Sequence, residues 1–128
     1  MNTDGHRSID QLTEVVIGCA FEVSNVLGAG FLEKVYQRAL MRELTSRGLQ
    51  AMAEQPIDVE YKGETVGHYV ADIVVEQRLI LELKCVEAIA REHLAQTLNY
   101  LRATGYRFGL ILNFQKSRVE IKRVVADW

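Results

Sequence analysis

Apolar positions recur at three- and four-residue steps from Ser8 to Leu27, through Ile9, Leu12, Val16, Cys19, Val23 and Val26, which predicts an amphipathic helix. Ser8 and Gln11 have the spacing of a capping box at its start, and Gly28-Ala29-Gly30 stops it. A second helix is predicted from Phe31 to Arg47, with Leu32, Val35, Tyr36, Ala39 and Leu40 as its buried stripe and Gly48 as its stop. The period then changes to two. Gln55 to Tyr61 reads as a first strand, Lys62-Gly63-Glu64 as a turn, Thr65 to Glu76 as a long second strand and Leu79 to Lys84 as a third. Glu87 to Thr104 returns to helical spacing, with Leu94, Leu98 and Leu101 as its stripe, and Gly105 ends it. Arg107 to Asn113 and Arg118 to Val125 close the chain as two more strands. Two helices, three strands, a helix and two strands predict an α/β sandwich with helices packed on a sheet.

Charges interrupt the strands where burial is expected. In Leu79-Ile80-Leu81-Glu82-Leu83-Lys84, the leucines share one face, and Ile80, Glu82 and Lys84 share the other. In Tyr69-Val70-Ala71-Asp72-Ile73-Val74-Val75 the same alternation sets Asp72 with Val70 and Val74. Glu76-Gln77-Arg78 is a polar tip of hairpin length, so the two runs pair antiparallel and Asp72 meets Glu82 where their faces coincide. Two carboxylates in a partly desolvated cleft repel, and a divalent cation relieves that repulsion. A cross-strand ion pair of Asp72 with Lys84, with Glu82 on a solvated face, fits the same spacing. Glu33 falls at the margin of the second helix's stripe, either on the surface or aimed into a cleft.

With 128 residues, about half of them apolar, the chain predicts one domain over 1–128, with 1–7 expected to be flexible. A net charge of −2 excludes strong indiscriminate attraction to nucleic acid but leaves room for a local basic cleft. Two cysteines, Cys19 and Cys85, make neither a zinc site nor a disulfide framework, which points to a reducing cytoplasm. The first ten residues lack the apolar core of a signal peptide, and no apolar run is long enough to span a membrane.

Gly30-Phe31-Leu32-Glu33-Lys34-Val35-Tyr36 resembles the signature of the GxxExxY protein family, a group assigned to the PD-(D/E)xK nuclease superfamily. Glu54-Gln55-Pro56-Ile57, Tyr61-Lys62-Gly63, Tyr69-Val70-Ala71-Asp72, Leu81-Glu82-Leu83-Lys84, Gln96-Thr97-Leu98-Asn99-Tyr100-Leu101, Gly109-Leu110-Ile111-Leu112-Asn113-Phe114 and Ile121-Lys122-Arg123 extend the resemblance in order. It implies a restriction-endonuclease-like α-β-β-β-α-β core, a mixed central sheet flanked by helices, with an extra helix at the N-terminus. The residue before the aspartate is often proline in that superfamily and is Ala71 here, a change that leaves the carboxylate in place.

The activity implied is Mg2+- or Mn2+-dependent hydrolysis of nucleic-acid phosphodiesters, with DNA ahead of RNA. Asp72, Glu82 and the main-chain carbonyl of Leu83 would hold the metal, an ion that prefers oxygen ligands and retains water. Lys84 would orient or deprotonate the attacking water, or stabilise charge developing on phosphorus. Glu33 matches the superfamily's acidic residue on the first core helix, a further metal ligand directly or through water. Gln96 matches a residue that approaches the attacking water or a phosphate. His93 and Tyr100 lie on the same side as Gln96 at helical steps, and Lys122 and Arg123 are candidate phosphate contacts, although partial packing and a charged exposed strand give the same patterns. The alternative is a non-catalytic nucleic-acid- or protein-binding module, or an accessory subunit, that retains the fold; a homodimer or a protein partner fits either reading. No helix-turn-helix, zinc finger or aromatic stacking platform is visible in the sequence.

Overall fold

The computed structural model describes residues 7–127. The segment 1–7 expected to be flexible lies outside them except for Arg7, whose carbonyl accepts a hydrogen bond from Arg78 Nη1 at 2.6 Å. Helices α1 (Ile9–Leu27) and α2 (Glu33–Ser46) precede strands β1 (Ala51–Tyr61), β2 (Glu64–Val75) and β3 (Leu79–Lys84). Helix α3 (Arg91–Thr104) then leads to β4 (Phe108–Asn113) and β5 (Glu120–Val125). The strands form one sheet in chain order, antiparallel except for the β3–β4 pair. A parallel pair needs a crossover, and α3 supplies it. This is the predicted α-β-β-β-α-β core, α2 to β4, with α1 added before it and β5 after it.

The sheet lies between two apolar layers. On one face α1 and α2 bring Leu12, Val16, Cys19, Tyr36, Leu40 and Leu44 against Leu79, Leu81, Leu83, Leu110 and Leu112. On the other, Tyr100 and Leu101 of α3 cover Ile80, Ile111 and Val124. The continuous apolar runs Leu79 to Leu81 of β3 and Leu110 to Leu112 of β4 follow from this covering on both faces.

Several sequence expectations shift. The capping box forms as predicted, with Gln11 N–H donating to Ser8 Oγ and Ser8 N–H to Gln11 Oε1. Val26 is exposed, because the buried face of α1 runs instead through Thr13, Ala20 and Ser24. Ser24 is buried because its Oγ donates to Ser117 O and accepts from Val119 N–H, tying α1 to the approach of β5. Leu32 and Val35 of the predicted α2 stripe are also exposed, and Gln37 and Leu44 take their place in the interior. Strand β1 starts four residues earlier than expected, paired from Ala51 to Val75. Helix α3 starts at Arg91, four residues later than Glu87. Asn113 at the end of β4 binds Val86 N–H and Val86 O at 3.0 and 2.8 Å, and Ile89 packs under α3. Tertiary contacts therefore hold the approach out of the helix against its helix propensity.

The Gly30-to-Tyr36 segment has a structural role. Gly30 adopts φ +111°, which a side chain would resist, as the chain turns from α1 into α2. Tyr36 stacks on Phe114 at 4.7 Å, donates its hydroxyl to Gly28 O at 2.6 Å and accepts Phe31 N–H at 3.2 Å. Tyr36→Phe is expected to cost about 1–2 kcal/mol by releasing this turn, and Tyr36→Ala about 3–5 kcal/mol by also emptying the core. Thermal melts of both variants test this; a Tyr36→Phe variant as stable as the parent would show that the hydroxyl does not hold the turn.

Candidate active site

Strands β2 and β3 pair as a regular ladder only from Val75↔Leu79 to Ile73↔Leu81. At the next step the side chains take over. Asp72 N–H donates to Glu82 Oε2 at 3.1 Å, and Leu83 N–H donates to Asp72 Oδ2 at 2.7 Å. Each carboxylate thus accepts a main-chain donor from the other strand, so the acids are held between the strands. Gln37 of α2 completes the arrangement, its Nε2 donating to Asp72 O at 2.9 Å.

The β1–β2 ribbon turns over at the same place. Ile73 and Val75 pack on the α1–α2 side, whereas Tyr69 and Ala71, of the same parity, meet the α3 side. Across the ribbon Ala53 pairs with Ile73 and Gln55 with Ala71, so Glu54 faces Asp72. Glu54 adopts φ +54°, left-handed for a residue with a Cβ, and its carboxylate pairs with Lys34 of α2. The simple alternation predicted through Val70, Asp72 and Val74 therefore breaks at Asp72, and Val70 is exposed while Val74 is buried.

The electrostatics are those of two acids short of positive charge. Glu82 is buried, at 4% exposure. Its carboxyl is pushed up to about 8, first by burial and then by the charge of Asp72, against the Asp72 N–H and Lys84; Glu33 adds a smaller upward push. Burial also raises Asp72, opposed by the Leu83 N–H and by Lys84. The Tyr100 hydroxyl is raised by burial and then by Glu82 and Asp72, which places it towards the same acids. The ion pairs of the structure include Lys34–Glu54, Glu43–Arg47 and Asp58–His68. The alternative Asp72–Lys84 ion pair does not form; Lys84 Nζ instead meets Gln96 Oε1 of α3 at 3.5 Å.

The structure therefore gathers Asp72, Glu82, Lys84, Gln96 and Tyr100. The Leu83 main chain is there too, through its N–H. Glu33 is the first residue of α2 and exposed, at the edge of this group. His93 caps α3 instead, its Nδ1 accepting Ala90 N–H at 2.9 Å. Lys122 lies in register with Ile111 and Glu82, on the same face of the sheet two strands away. Arg123 is in register with Leu110 and Leu81, which pack against the α1–α2 layer, and it lines a cavity with Asp10 and Thr13 of α1. That opposite face separates it from the acids. Sequence reasoning missed Gln37, since nothing in a helical wheel announces that a glutamine will meet a strand carbonyl.

Among the described residues no three His, Cys, Asp or Glu side chains converge to hold a metal by themselves. Asp72 and Glu82 nevertheless suit a hard divalent cation: two carboxylates, close together, one buried and one half-buried, neither in a salt bridge. Such ions commonly take one or two carboxylates and complete their shell with water and substrate oxygens.

Residues 10–124 match the family model of the PD-(D/E)XK nuclease superfamily. The chain belongs to that superfamily. No curated protein sequence matches it. The crystal structure of an alkaline exonuclease, LHK-Exo, from Laribacter hongkongensis is similar in fold, with a TM-score of 0.55 and 13% identity over 98% of this chain and 74% of the exonuclease. The structure of LHK-Exo in complex with dAMP gives a TM-score of 0.51 and 13% identity over 90% of this chain and 83% of that one. Within the superfamily fold, the Asp72–Glu82–Lys84 group lies on the second and third core strands.

A pH dependence follows from the burial. Between its ordinary value of 4.5 and about 8, folded Glu82 keeps a proton that the unfolded chain has released. Stability is thus greatest below that window and falls as pH rises through it, with Asp72 acting in the same direction. The metal-free chain is expected to lose on the order of a few kcal/mol across the window relative to Glu82→Gln. Denaturant titrations of both proteins at several pH values measure this; parallel pH profiles would mean that folded Glu82 titrates normally.

Proposed function

We propose that this chain is a metal-dependent nuclease that hydrolyses nucleic-acid phosphodiesters, DNA ahead of RNA, and that within its superfamily it is a member of the GxxExxY group. The observation that carries the reading is the pair of carboxylates, half-buried Asp72 and buried Glu82, held between adjacent strands without a salt bridge and beside the Lys84–Gln96 contact. Superfamily membership supports it, and the dAMP complex of the similar exonuclease supports a deoxynucleotide substrate. The bridging roles of Gly30 and Tyr36 are consistent with the GxxExxY assignment.

Asp72 and Glu82, with the Leu83 carbonyl, would hold Mg2+ or Mn2+, and Glu33 at the mouth would contribute through water. When bound, the cation supplies Lewis-acid polarisation of the phosphodiester and acidifies a water molecule. The protein's own groups do the positioning. Lys84 presents its ammonium to the attacking water and to charge developing on the phosphoryl oxygens, and the Gln96 side-chain oxygen fixes where that ammonium points. Tyr100, buried on α3, packs on the same side of the sheet as the acids. Hydrolysis adds water's oxygen to phosphorus and breaks the bond to the departing sugar oxygen.

The test is cleavage of a panel of DNA duplexes, single strands, branched DNA and RNA in Mg2+ and Mn2+. Cutting is expected from the parent and not from Glu82→Ala; Lys84→Met should fold normally and lose at least about 100-fold in rate. Cutting by none of the proteins, parent included, would transfer the weight to a binding module or a missing partner. Full activity in Lys84→Met would remove lysine from the chemistry.

The register separates the two candidate phosphate contacts. Lys122→Ala is expected to lower the salt slope of nucleic-acid binding by about 1, whereas Arg123→Ala leaves it unchanged. Affinities measured over a range of salt concentrations decide this, and an unchanged slope in Lys122→Ala would reject the contact.

A further inference from the structure

Beside the carboxylate site runs a groove of about 820 Å3 between the overhanging β1–β2 ribbon and α3, a volume typical of ligand sites. The two are continuous. Gln96 and Tyr100 line the groove, Gln96 Oε1 meets Lys84 Nζ at 3.5 Å, and the charges of Glu82 and Asp72 reach the Tyr100 hydroxyl.

The ribbon contributes Tyr69 to the groove. Its ring meets Tyr100 with centroids 5.7 Å apart and planes at 47°. On the ribbon it lies against Gly67, where an added Cβ would stand 3.4 Å from Tyr69 Cε2. Tyr69 is held from two sides yet remains 50% exposed. An aromatic ring with a fixed orientation and an open surface can stack a flat ligand at little entropic cost.

Charge selects which part of a nucleic acid enters. The groove carries the carboxylates of Glu60 and Glu92 against one guanidinium, Arg102, whose Nη1 donates to Asn99. It therefore does not attract a phosphate. Lys84 lies at the carboxylate end, and Lys122 is on the same sheet face. A strand whose phosphate sits at the acids would turn a neighbouring base, not its backbone, into the groove. In a duplex interior both faces of each base are already stacked, so away from duplex ends only an unpaired base can offer one to Tyr69.

We propose that the Tyr69 groove is a subsite for an unpaired nucleobase next to the phosphodiester held at Asp72 and Glu82, so that the chain selects single-stranded segments. The inference rests on the nuclease reading for its orientation, and its test is independent of turnover. Binding of fluorescein-labelled single-stranded oligodeoxynucleotides to the full chain is measured by anisotropy in calcium, with an abasic residue moved along the strand. Tyr69→Phe should bind like the parent, and Tyr69→Ala about tenfold more weakly. One abasic position should weaken the parent by the same factor and Tyr69→Ala no further. Thermal melts check folding, and Tyr69→Leu replaces Tyr69→Ala should the latter unfold.

Unchanged affinity in the substituted protein, a flat abasic scan, or losses that simply add would overturn the inference, as would a chain that binds no strand. A flat scan is also the result expected if the groove holds an apolar peptide instead. Metal-dependent cleavage by the parent, assayed separately, keeps the two readings apart. Cutting with no response at Tyr69 sinks the base subsite alone; coupled losses without cutting retain the subsite and remove the nuclease.

Discussion

Two carboxylates standing where β-ladder hydrogen bonds would otherwise be is the constraint on which the remaining architecture depends. An unpaired buried carboxylate is costly, and two side by side are worse. The fold offsets part of that cost with the Asp72 and Leu83 N–H groups, and Gln37 satisfies the Asp72 carbonyl that the interrupted ladder leaves over. The residual cost appears as the upward displacement of both acids, largest at Glu82. A site of this kind is poised for a cation, because positive charge removes both the repulsion and the desolvation penalty.

The interruption also shapes what surrounds it. Since β2 and β3 stop pairing beyond Ile73↔Leu81, the β1–β2 ribbon continues without a third strand and turns over towards α3. The left-handed Glu54 sits opposite Asp72 at the turning point, its strain placed beside the candidate chemistry. The overhang then forms one wall of the groove and α3 forms the other. One local break in a sheet thus creates both the place for the acids and the cleft beside them.

The helices are positioned by polar contacts at their ends. Tyr36 fastens the turn before α2, which sets Glu33 and Lys34 at the mouth of the site. Asn113 holds the chain at Val86 out of the helix, and His93 caps Ala90, so α3 begins late and presents Gln96 to Lys84. His93 thus acts on the site through the helix start, whereas Lys122 reaches the right face only because β5 pairs in register with β4.

The sequence alone determined the order of elements, the strands that carry Asp72, Glu82 and Lys84, and the caps and glycines that punctuate them. Those features are local: periodicity, capping chemistry and turn residues act within a few positions of one another. It misjudged the stripes of α1 and α2, because Val26, Leu32 and Val35 are apolar residues that the sheet does not cover, while Ser24 and Gln37 are polar residues with distant partners. Tertiary structure decided the exchange of hydrogen bonds at Asp72 and Glu82, the reversal of the ribbon, the opposite faces of Lys122 and Arg123, and the pairing of Tyr69 with Tyr100. Each of these depends on how far strands are paired and where one element ends against another, distances that no window of neighbouring residues contains.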